Sequence, residues 1–167
     1  MAQKIIKYLL LFILVALPTY LVASISSLDK KYFLCPIPYP WDMVVRSDSR
    51  GEGFFAAKRS GKRMHNGIDL AADIGTEVLA CRAGRAHTAV QPRGMGNYVV
   101  ISHADGMSTL YGHLSRIDVS DGVFVRQGQV IGRVGKTGNA DHPEMRAHLH
   151  FEVKKDEVYR DPLEYLE

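Results

Sequence analysis

Two histidines separated by a single residue, His148 and His150, stand near the end of the chain in the segment HLHFE. Side chains alternate along a β-strand, so both imidazoles would project from one face while Leu149 and Phe151 project from the opposite, apolar face. Packing alone explains two neighbouring imidazoles poorly. We therefore interpret the pair as candidate metal ligands or proton-transfer groups.

A second candidate pair is His65 and Asp69, in the segment HNGID. A helix would align side chains four residues apart, but the turn dipeptide Asn66-Gly67 argues against a helix. A turn can bring the two side chains to one point equally well. Zinc binds imidazole nitrogen and carboxylate oxygen, and a catalytic zinc site has three protein ligands and one open position. Two histidines and one aspartate fit that count.

A third candidate, His113, lies in the segment YGHL at 111–114. Taken alone, each of the three segments has a commoner explanation, either chance or a histidine satisfied by packing. Only their joint occurrence favours a metal site. Tyr111 shares a face with His113 in regular alternation, so substrate contact and packing are equally good explanations for it. The histidines to which we assign no role are His87, His103 and His142.

Short β-branched runs punctuated by glycine dominate the chain from residue 77 onward, which predicts an all-β fold built on antiparallel sheet. The dipeptide Asp105-Gly106 predicts a two-residue hairpin turn, and Asp121-Gly122 predicts another turn. Strands are predicted at 77–82, 85–90, 97–103, 108–114, 123–125, 130–134 and 148–153.

The N-terminus carries an export signal. Lys4 and Lys7 precede an uncharged stretch at 8–28, so residues 1–28 are a hydrophobic leader helix, either a signal peptide cut near Ser24 or an anchor holding the chain to the membrane through residues 5–28. Both alternatives predict an exported protein, in the periplasm or on the outer face of the cytoplasmic membrane. We expect residues 29–45 to be a linker and residues 46–167 to be one domain.

Charge and cysteine content narrow the possible partners. Without Lys4 and Lys7 the chain has 19 basic and 18 acidic residues, which gives no support for nucleic-acid binding. The two cysteines, Cys35 and Cys81, predict an intrachain disulfide in an exported protein, with two buried thiols as the alternative.

The region from 46 to 162 resembles the lysostaphin-type (LytM-like) zinc endopeptidases, family 23 of the metallopeptidases. That resemblance implies an antiparallel β-sheet with an open groove and one zinc ion per chain at its floor. It is carried by the segments RMHNGIDL (63–70), GTEVLA (75–80), GNYVVISH (96–103), TLYGHLS (109–115), GQVIG (128–132), GKTG (135–138) and HLHFE (148–152).

Carried over residue by residue, the resemblance implies that His65, Asp69 and His150 are the zinc ligands. It implies that His113 and His148 are the catalytic histidines. One would act as general base, and the other would hydrogen-bond the developing oxyanion or protonate the leaving amine. The spacing of the two histidines in the sequence does not determine which of them has which role. Glu152, on the same strand face as His150, is a candidate to orient an imidazole.

The implied activity is zinc-dependent hydrolysis of peptidoglycan stem or cross-bridge peptides. The alternatives are a non-catalytic wall-binding regulator of another hydrolase, an endopeptidase acting on a protein, and a carrier domain, for which the modified lysine at a hairpin tip is missing. A D-Ala to diaminopimelate cross-link is the expected bond, with glycine bridges as the alternative. We expect the loop at 139–147 to rim the groove and the loop at 49–63 to shade it.

Overall fold

A computed structural model describes residues 6–8, 12–16, 32–38, 42–59 and 61–166, divided into two compact units, 1–31 and 32–167. In the first unit, residues 6–8 and 12–16 are helical. In the part of the chain that is described, no helix combines the length and the apolar character needed to cross a membrane. Most of the predicted leader, including the Ser24 cleavage position, lies outside the described residues.

The structure shortens the predicted linker. Phe33, Cys35 and Ile37 are buried in the core of the second unit. The backbone N–H of Leu34 donates to the carbonyl of Cys81 at 3.0 Å, which ties this segment to the domain. Residues 32–38 are therefore part of the folded body, because their apolar side chains bury surface that a free tether would leave exposed to water.

The second unit is all-β, as the sequence predicts. Four strands at the predicted positions are longer than four residues. The main additions are short strands, which have too few residues for a recognisable alternation. The described strands are β1 (Ser47–Asp48), β2 (Gly51–Glu52), β3 (Ile68–Ala71), β4 (Glu77–Leu79), β5 (Gly84–Val90), β6 (Asn97–Ser102), β7 (Met107–Leu114), β8 (Arg116–Ile117), β9 (Phe124–Val125), β10 (Val130–Arg133), β11 (His148–Lys155) and β12 (Val158–Arg160).

The largest sheet has seven strands, all paired antiparallel, in the order β12-β11-β7-β6-β5-β9. β3 pairs with the first half of β11, and β12 pairs with the end of β11 along the same edge. The first half of β11 thus has β3 on one side and β7 on the other. This arrangement puts all three candidate segments on neighbouring strands.

A smaller sheet, in the order β4-β10-β8, packs against the large one. Val78 of β4 and Ile131 of β10 belong to the same buried cluster as Ile101, Leu149 and Phe151 of the large sheet, and all five are fully inaccessible to solvent. Leu149 and Phe151 occupy the apolar face of β11, as alternation predicts. The opposite face of β11 is thereby left for the histidines.

The predicted hairpin turn at Asp105-Gly106 is confirmed. Both residues have positive φ, 61° and 71°, as a two-residue turn between twisted antiparallel strands requires. The turn connects β6 to β7 and sets the register in which Ser102 faces Ser108.

A β-bulge in β7 breaks the alternation predicted for Tyr111 and His113. Asn97 pairs with Leu114 and Val99 with Tyr111, so Gly112 and His113 together oppose a single residue of β6. His113 has a φ of 63°, in the left-handed region that a non-glycine residue adopts only when its surroundings hold it there. The bulge sends Tyr111 into the core while His113 faces the groove.

Tyr111 is a core residue. It is fully buried, and its hydroxyl accepts a hydrogen bond from the Cys81 N–H at 2.9 Å and donates to the Cys81 Sγ at 3.0 Å. Of the two explanations that the sequence left open for Tyr111, packing is therefore correct and substrate contact is excluded by burial.

We expect Tyr111→Phe to destabilise the protein by about 1–3 kcal/mol, because it leaves a buried N–H without a partner. Urea denaturation would measure this loss. Tyr98→Phe is the matched control: it removes only a surface hydrogen bond to Gln91 and is expected to cost less than about 0.5 kcal/mol. Equal losses in the two variants would contradict the structural role assigned to the Tyr111 hydroxyl.

The predicted disulfide is absent, because both cysteines are buried free thiols. Cys35 Sγ lies 3.9 Å from the sulfur of Met43, and Cys81 Sγ accepts the hydrogen bond from Tyr111. Burial raises the pKa of the Cys81 thiol to about 12, so this group is an unreactive part of the core. Of the two explanations open from the sequence, buried thiols is the one that the structure supports.

Candidate metal centre and active site

His65 and Asp69 reach the site through two features: a hairpin that runs from Ala56 to His65, and a close approach of the following backbone to β11. The His65 N–H donates to the Ala57 carbonyl at 2.9 Å, which fixes His65 on the returning arm of that hairpin. The backbone then passes β11 so closely that a Cβ on Gly67 would overlap the Phe151 carbonyl oxygen. Only glycine permits this approach, so the Asn66-Gly67 dipeptide is needed for packing as well as for a change of direction.

Three ligand atoms converge at one point. His65 Nε2 lies 3.1 Å from His150 Nδ1 and 3.2 Å from Asp69 Oδ1, and the last two atoms lie 2.9 Å apart. The register in which His150 faces Asp69 across β11 and β3 produces this contact. The ligand atoms of a tetrahedral zinc ion, each roughly 2.0–2.1 Å from the metal, lie roughly 3.3 Å apart. The three residues can therefore hold a zinc ion with little adjustment.

The tautomer of each histidine in the cluster follows from its second hydrogen bond. His65 Nδ1 lies 2.8 Å from the Phe54 carbonyl, which can only accept, so this nitrogen carries the proton and Nε2 keeps a lone pair. In the neutral form of His150, Nε2, which lies 3.1 Å from the carboxylate of Glu152, keeps the proton and Nδ1 has the lone pair. In that form the lone pairs of both rings point into the cluster. Glu152, which is buried, thus occupies the orienting position predicted for it.

Two arginines hold the outer oxygen of Asp69. Arg46 Nη2 and Arg59 Nη2 lie 2.9 Å and 3.2 Å from Asp69 Oδ2, which leaves Oδ1 for the cluster. Arg46 is itself buried and also binds Asp48 at 2.6 Å. Burial would raise the pKa of Asp69, but the neighbouring His150 and His65 rings outweigh burial and hold that pKa far below its usual range. Asp69 is therefore an anion at any working pH.

Sequence reasoning missed Arg46 and Arg59. Residues 46–53 have the composition of a loop, and an arginine in a polar loop is normally solvated. The nearest signal was the Arg46-Ser47-Asp48 pattern that leads into β1, in which alternation puts the outer two residues on one face.

His113 and His148 lie beside the cluster, with their ring centroids 5.1 Å apart. In each ring Nδ1 contacts a backbone carbonyl, that of Thr137 at 2.8 Å for His113 and that of Arg146 at 2.7 Å for His148. Burial lowers the pKa of His148, and burial together with the neighbouring histidines lowers the pKa of His113 to about 3. Both rings are therefore neutral near pH 7, with the proton on Nδ1 and a lone pair on Nε2.

The five residues lie at the floor of a groove of about 600 Å³. The segment at 49–63, expected to shade the site, supplies one wall through Arg50, Lys58 and Arg63. The loop at 139–147, expected to rim the groove, also lines it, through Asn139 and Met145. The groove is partly open to solvent.

His150 binds a proton more tightly than an ordinary histidine in the metal-free protein. Burial alone would lower its pKa, but the carboxylates of Asp69 and Glu152 outweigh burial and raise the pKa to about 9. A metal needs the neutral ring, so near neutral pH it must displace this proton. We expect zinc uptake to release about one proton per chain near neutral pH, and the apparent affinity to rise as pH rises toward that pKa.

Titration calorimetry in buffers of different ionisation enthalpy would measure the released proton. Glu152→Gln removes one of the two carboxylates that raise the His150 pKa, so this variant should release a smaller fraction of a proton near neutral pH. Zinc uptake without proton release by the wild type near neutral pH would contradict the raised pKa.

Comparison with known proteins places this geometry in a family. The sequence profile described as Peptidase family M23 matches residues 63–162, which include His65, Asp69, His113, His148 and His150. A solved structure of a zinc-containing peptidase from Vibrio cholerae is similar with a TM-score of 0.63 and 31% sequence identity, over 78% of this chain and 39% of that one.

Two relatives show how similar sequences are named. The DD-carboxypeptidase/endopeptidase Mpg of Neisseria meningitidis is 46% identical over 92 residues, which is 55% of this chain and 20% of that protein. Stage II sporulation protein Q of Bacillus subtilis is 39% identical over 106 residues, 62% of this chain and 37% of that protein. This chain thus spans well under half the length of either relative. Since the family profile covers more than half of the chain, the chain belongs to peptidase family M23.

Proposed function

We propose that this protein is a zinc-dependent endopeptidase that hydrolyses peptide bonds in peptidoglycan. One observation carries the proposal: three ligand atoms lie within 2.9–3.2 Å of one another at the floor of an open groove, beside two neutral histidines. In the proposed assignment His65 Nε2, Asp69 Oδ1 and His150 Nδ1 hold one zinc ion. Bound there, zinc would polarise the scissile carbonyl and make the attacking water more acidic.

The protein's own groups then move the protons. His148 presents an unprotonated Nε2 whose distance from Asp69 Oδ1 is 3.8 Å, next to the ligand cluster, and we propose that it accepts a proton from the attacking water. Its Nδ1–H stays bonded to the Arg146 carbonyl, which holds the ring in place and stabilises the imidazolium that forms. The same Nε2 can afterwards deliver the proton to the leaving amine.

His113 has the same tautomer, and this limits its role. To donate a hydrogen bond to an oxyanion it would need a proton on Nε2, which the neutral ring lacks. We propose that His113 Nε2 accepts the second hydrogen bond of the attacking water and so orients the water for attack. The positive φ of His113 is then the backbone distortion needed to aim this nitrogen at the groove.

The proposed substrate is a stem or cross-bridge peptide of the bacterial cell wall, and the proposed location is outside the cytoplasmic membrane. Support comes from the relative named as a carboxypeptidase and endopeptidase, and from the leader predicted at 1–28. A D-Ala to diaminopimelate cross-link remains the proposed bond.

The competing proposal is a non-catalytic member of the family that binds the wall or a partner protein. A similar protein named for sporulation rather than for peptidase activity favours it. Against it, the two proton-transfer positions are occupied by histidine and the three ligand positions by His, Asp and His.

Digestion of purified sacculi, with products identified by mass spectrometry, tests the proposal. We expect new muropeptides that disappear when a chelator removes the metal and return when zinc is restored. A parallel digest of an unfolded protein such as casein tests the protein-endopeptidase alternative. Zinc-loaded protein that leaves sacculi unchanged would contradict the proposed activity, and cleavage of casein alone would favour the alternative.

A further inference from the structure

One wall of the groove is strongly basic. We call Arg50, Lys58 and Arg63 the basic wall; all three are exposed residues that line the groove. Two of them belong to the segment KRSGKR at 58–63, in which four of six residues are basic and none is acidic. The proposed mechanism uses none of these three side chains.

The hairpin holds the basic wall next to the metal-binding cluster. Lys58 forms an antiparallel bridge with Met64, the residue directly before His65. The Arg59 N–H donates to the Arg63 carbonyl at 3.0 Å, which closes the hairpin, and the Arg59 side chain anchors it on Asp69. The position of the basic wall relative to the scissile bond is therefore set by the same residues that set the ligands.

Four further charged residues of the groove are paired within the site. Arg46 and Arg59 bind Asp69, and Glu152 binds His150. Within the described part of the chain, neither Arg50 nor Lys58 has a side-chain ion pair. The groove residues supplied by the loops at 94–95 and 139–145 are uncharged, among them Met95, Ala140 and Met145. The exposed positive charge of the groove thus comes from the segment at 50–63.

We infer that the basic wall binds a free carboxylate of the substrate peptide, on a residue next to the scissile bond. This inference rests on the proposed peptidase function and adds to it a substrate class, anionic peptides. A carboxylate is the anionic group of an unmodified peptide, and arginine and lysine bind it through charge-assisted hydrogen bonds. The uncharged groove residues leave the rest of the peptide to be held by contacts with methionine and alanine.

Three matched stem peptides test the inference with zinc-loaded, full-length protein. One is unmodified, one has its terminal carboxylate converted to the amide, and one has its side-chain carboxylate converted to the amide. We expect at least one amidation to lower kcat/KM about tenfold or more, since hydrogen bonds to charged groups are the stronger ones. Which amidation has the effect identifies the carboxylate that is bound.

The ratio of kcat/KM for the unmodified peptide to kcat/KM for the affected amidated peptide is the quantity to compare between variants. In the double variant Lys58→Gln/Arg63→Gln this ratio is expected to fall to about twofold or less, because only the unmodified peptide loses an ionic contact. Lys155→Gln/Arg160→Gln, which removes two exposed charges from the β11–β12 hairpin outside the groove, is the control and should keep the wild-type ratio. Binding of the unmodified peptide to zinc-loaded His148→Ala, followed by fluorescence anisotropy, should weaken with salt and with loss of the basic wall.

Equal cleavage of all three peptides by the wild type, or a ratio that survives in the basic-wall variant, would overturn the inference while leaving the peptidase proposal intact. Failure to cleave any of the peptides and sacculi alike would overturn the peptidase proposal, and the inference with it.

Discussion

His150→Ala is expected to lose zinc and peptidase activity together. It removes one of the three ligand atoms and leaves Asp69 Oδ1 and His65 Nε2 without the nitrogen that lies 2.9 Å and 3.1 Å from them. Changing an outer residue that orients a ligand typically weakens metal binding about 10–100-fold, so loss of a ligand itself should exceed that range. Metal content by elemental analysis, zinc affinity by competition with a chelator, and sacculus digestion would measure both losses.

The controls separate loss of metal from loss of structure. His87→Ala changes a half-exposed histidine on β5, outside the cluster, and should keep full zinc content and activity. His65→Ala removes a different ligand from the same cluster and should reproduce the loss, while circular dichroism reports whether each variant remains folded. A folded His150→Ala protein with wild-type zinc affinity would refute the ligand assignment.

His148→Ala is expected to keep its zinc and lose most of its rate. The ring contributes no atom to the three-atom cluster, and its Nε2 lies 3.8 Å from Asp69 Oδ1, further than the ligand atoms lie from one another. A positioned general base typically contributes about 10²–10⁴-fold to the rate, and kcat/KM should fall by that factor. Discontinuous assays of stem-peptide cleavage would measure kcat/KM, and elemental analysis would measure the zinc content.

His148→Gln provides the comparison, because glutamine retains hydrogen-bonding capacity but cannot accept the proton. It should be as slow as His148→Ala if the ring acts as a base, and considerably faster if the ring only holds the water. His113→Ala should also keep its metal. A rate within tenfold of the wild type in His148→Ala would exclude His148 as the general base.

The order of side chains along β11 shows how much of the site a sequence can predict. Strand alternation is a local property, so HLHFE was sufficient to place His148 and His150 on one face, with Leu149 and Phe151 in the core. The zinc-ligand chemistry of histidine and aspartate is likewise local. The all-β class and the turn at Asp105-Gly106 followed from the same short-range rules.

Long-range contacts account for what sequence reasoning missed. The bulge that separates Tyr111 from His113 arises where β7 meets β6, and alternation within β7 gives no sign of it. The free thiols of Cys35 and Cys81 depend on what packs around each sulfur. The burial of Phe33 depends on contacts with residues as distant as Tyr165. Pairings of this kind join positions far apart in the chain, and residue type alone does not encode them.

The residue types of the site were thus determined by the sequence, and its electrostatics by the tertiary structure. A histidine has two nitrogens, and only the neighbouring carbonyl or carboxylate decides which one keeps its lone pair. Phe54, Thr137 and Arg146 supply backbone carbonyls of this kind, and their side-chain types do not predict this role. Likewise Arg46 becomes the partner of Asp69 only because folding buries the two together, where an unpaired charge would be too costly to keep.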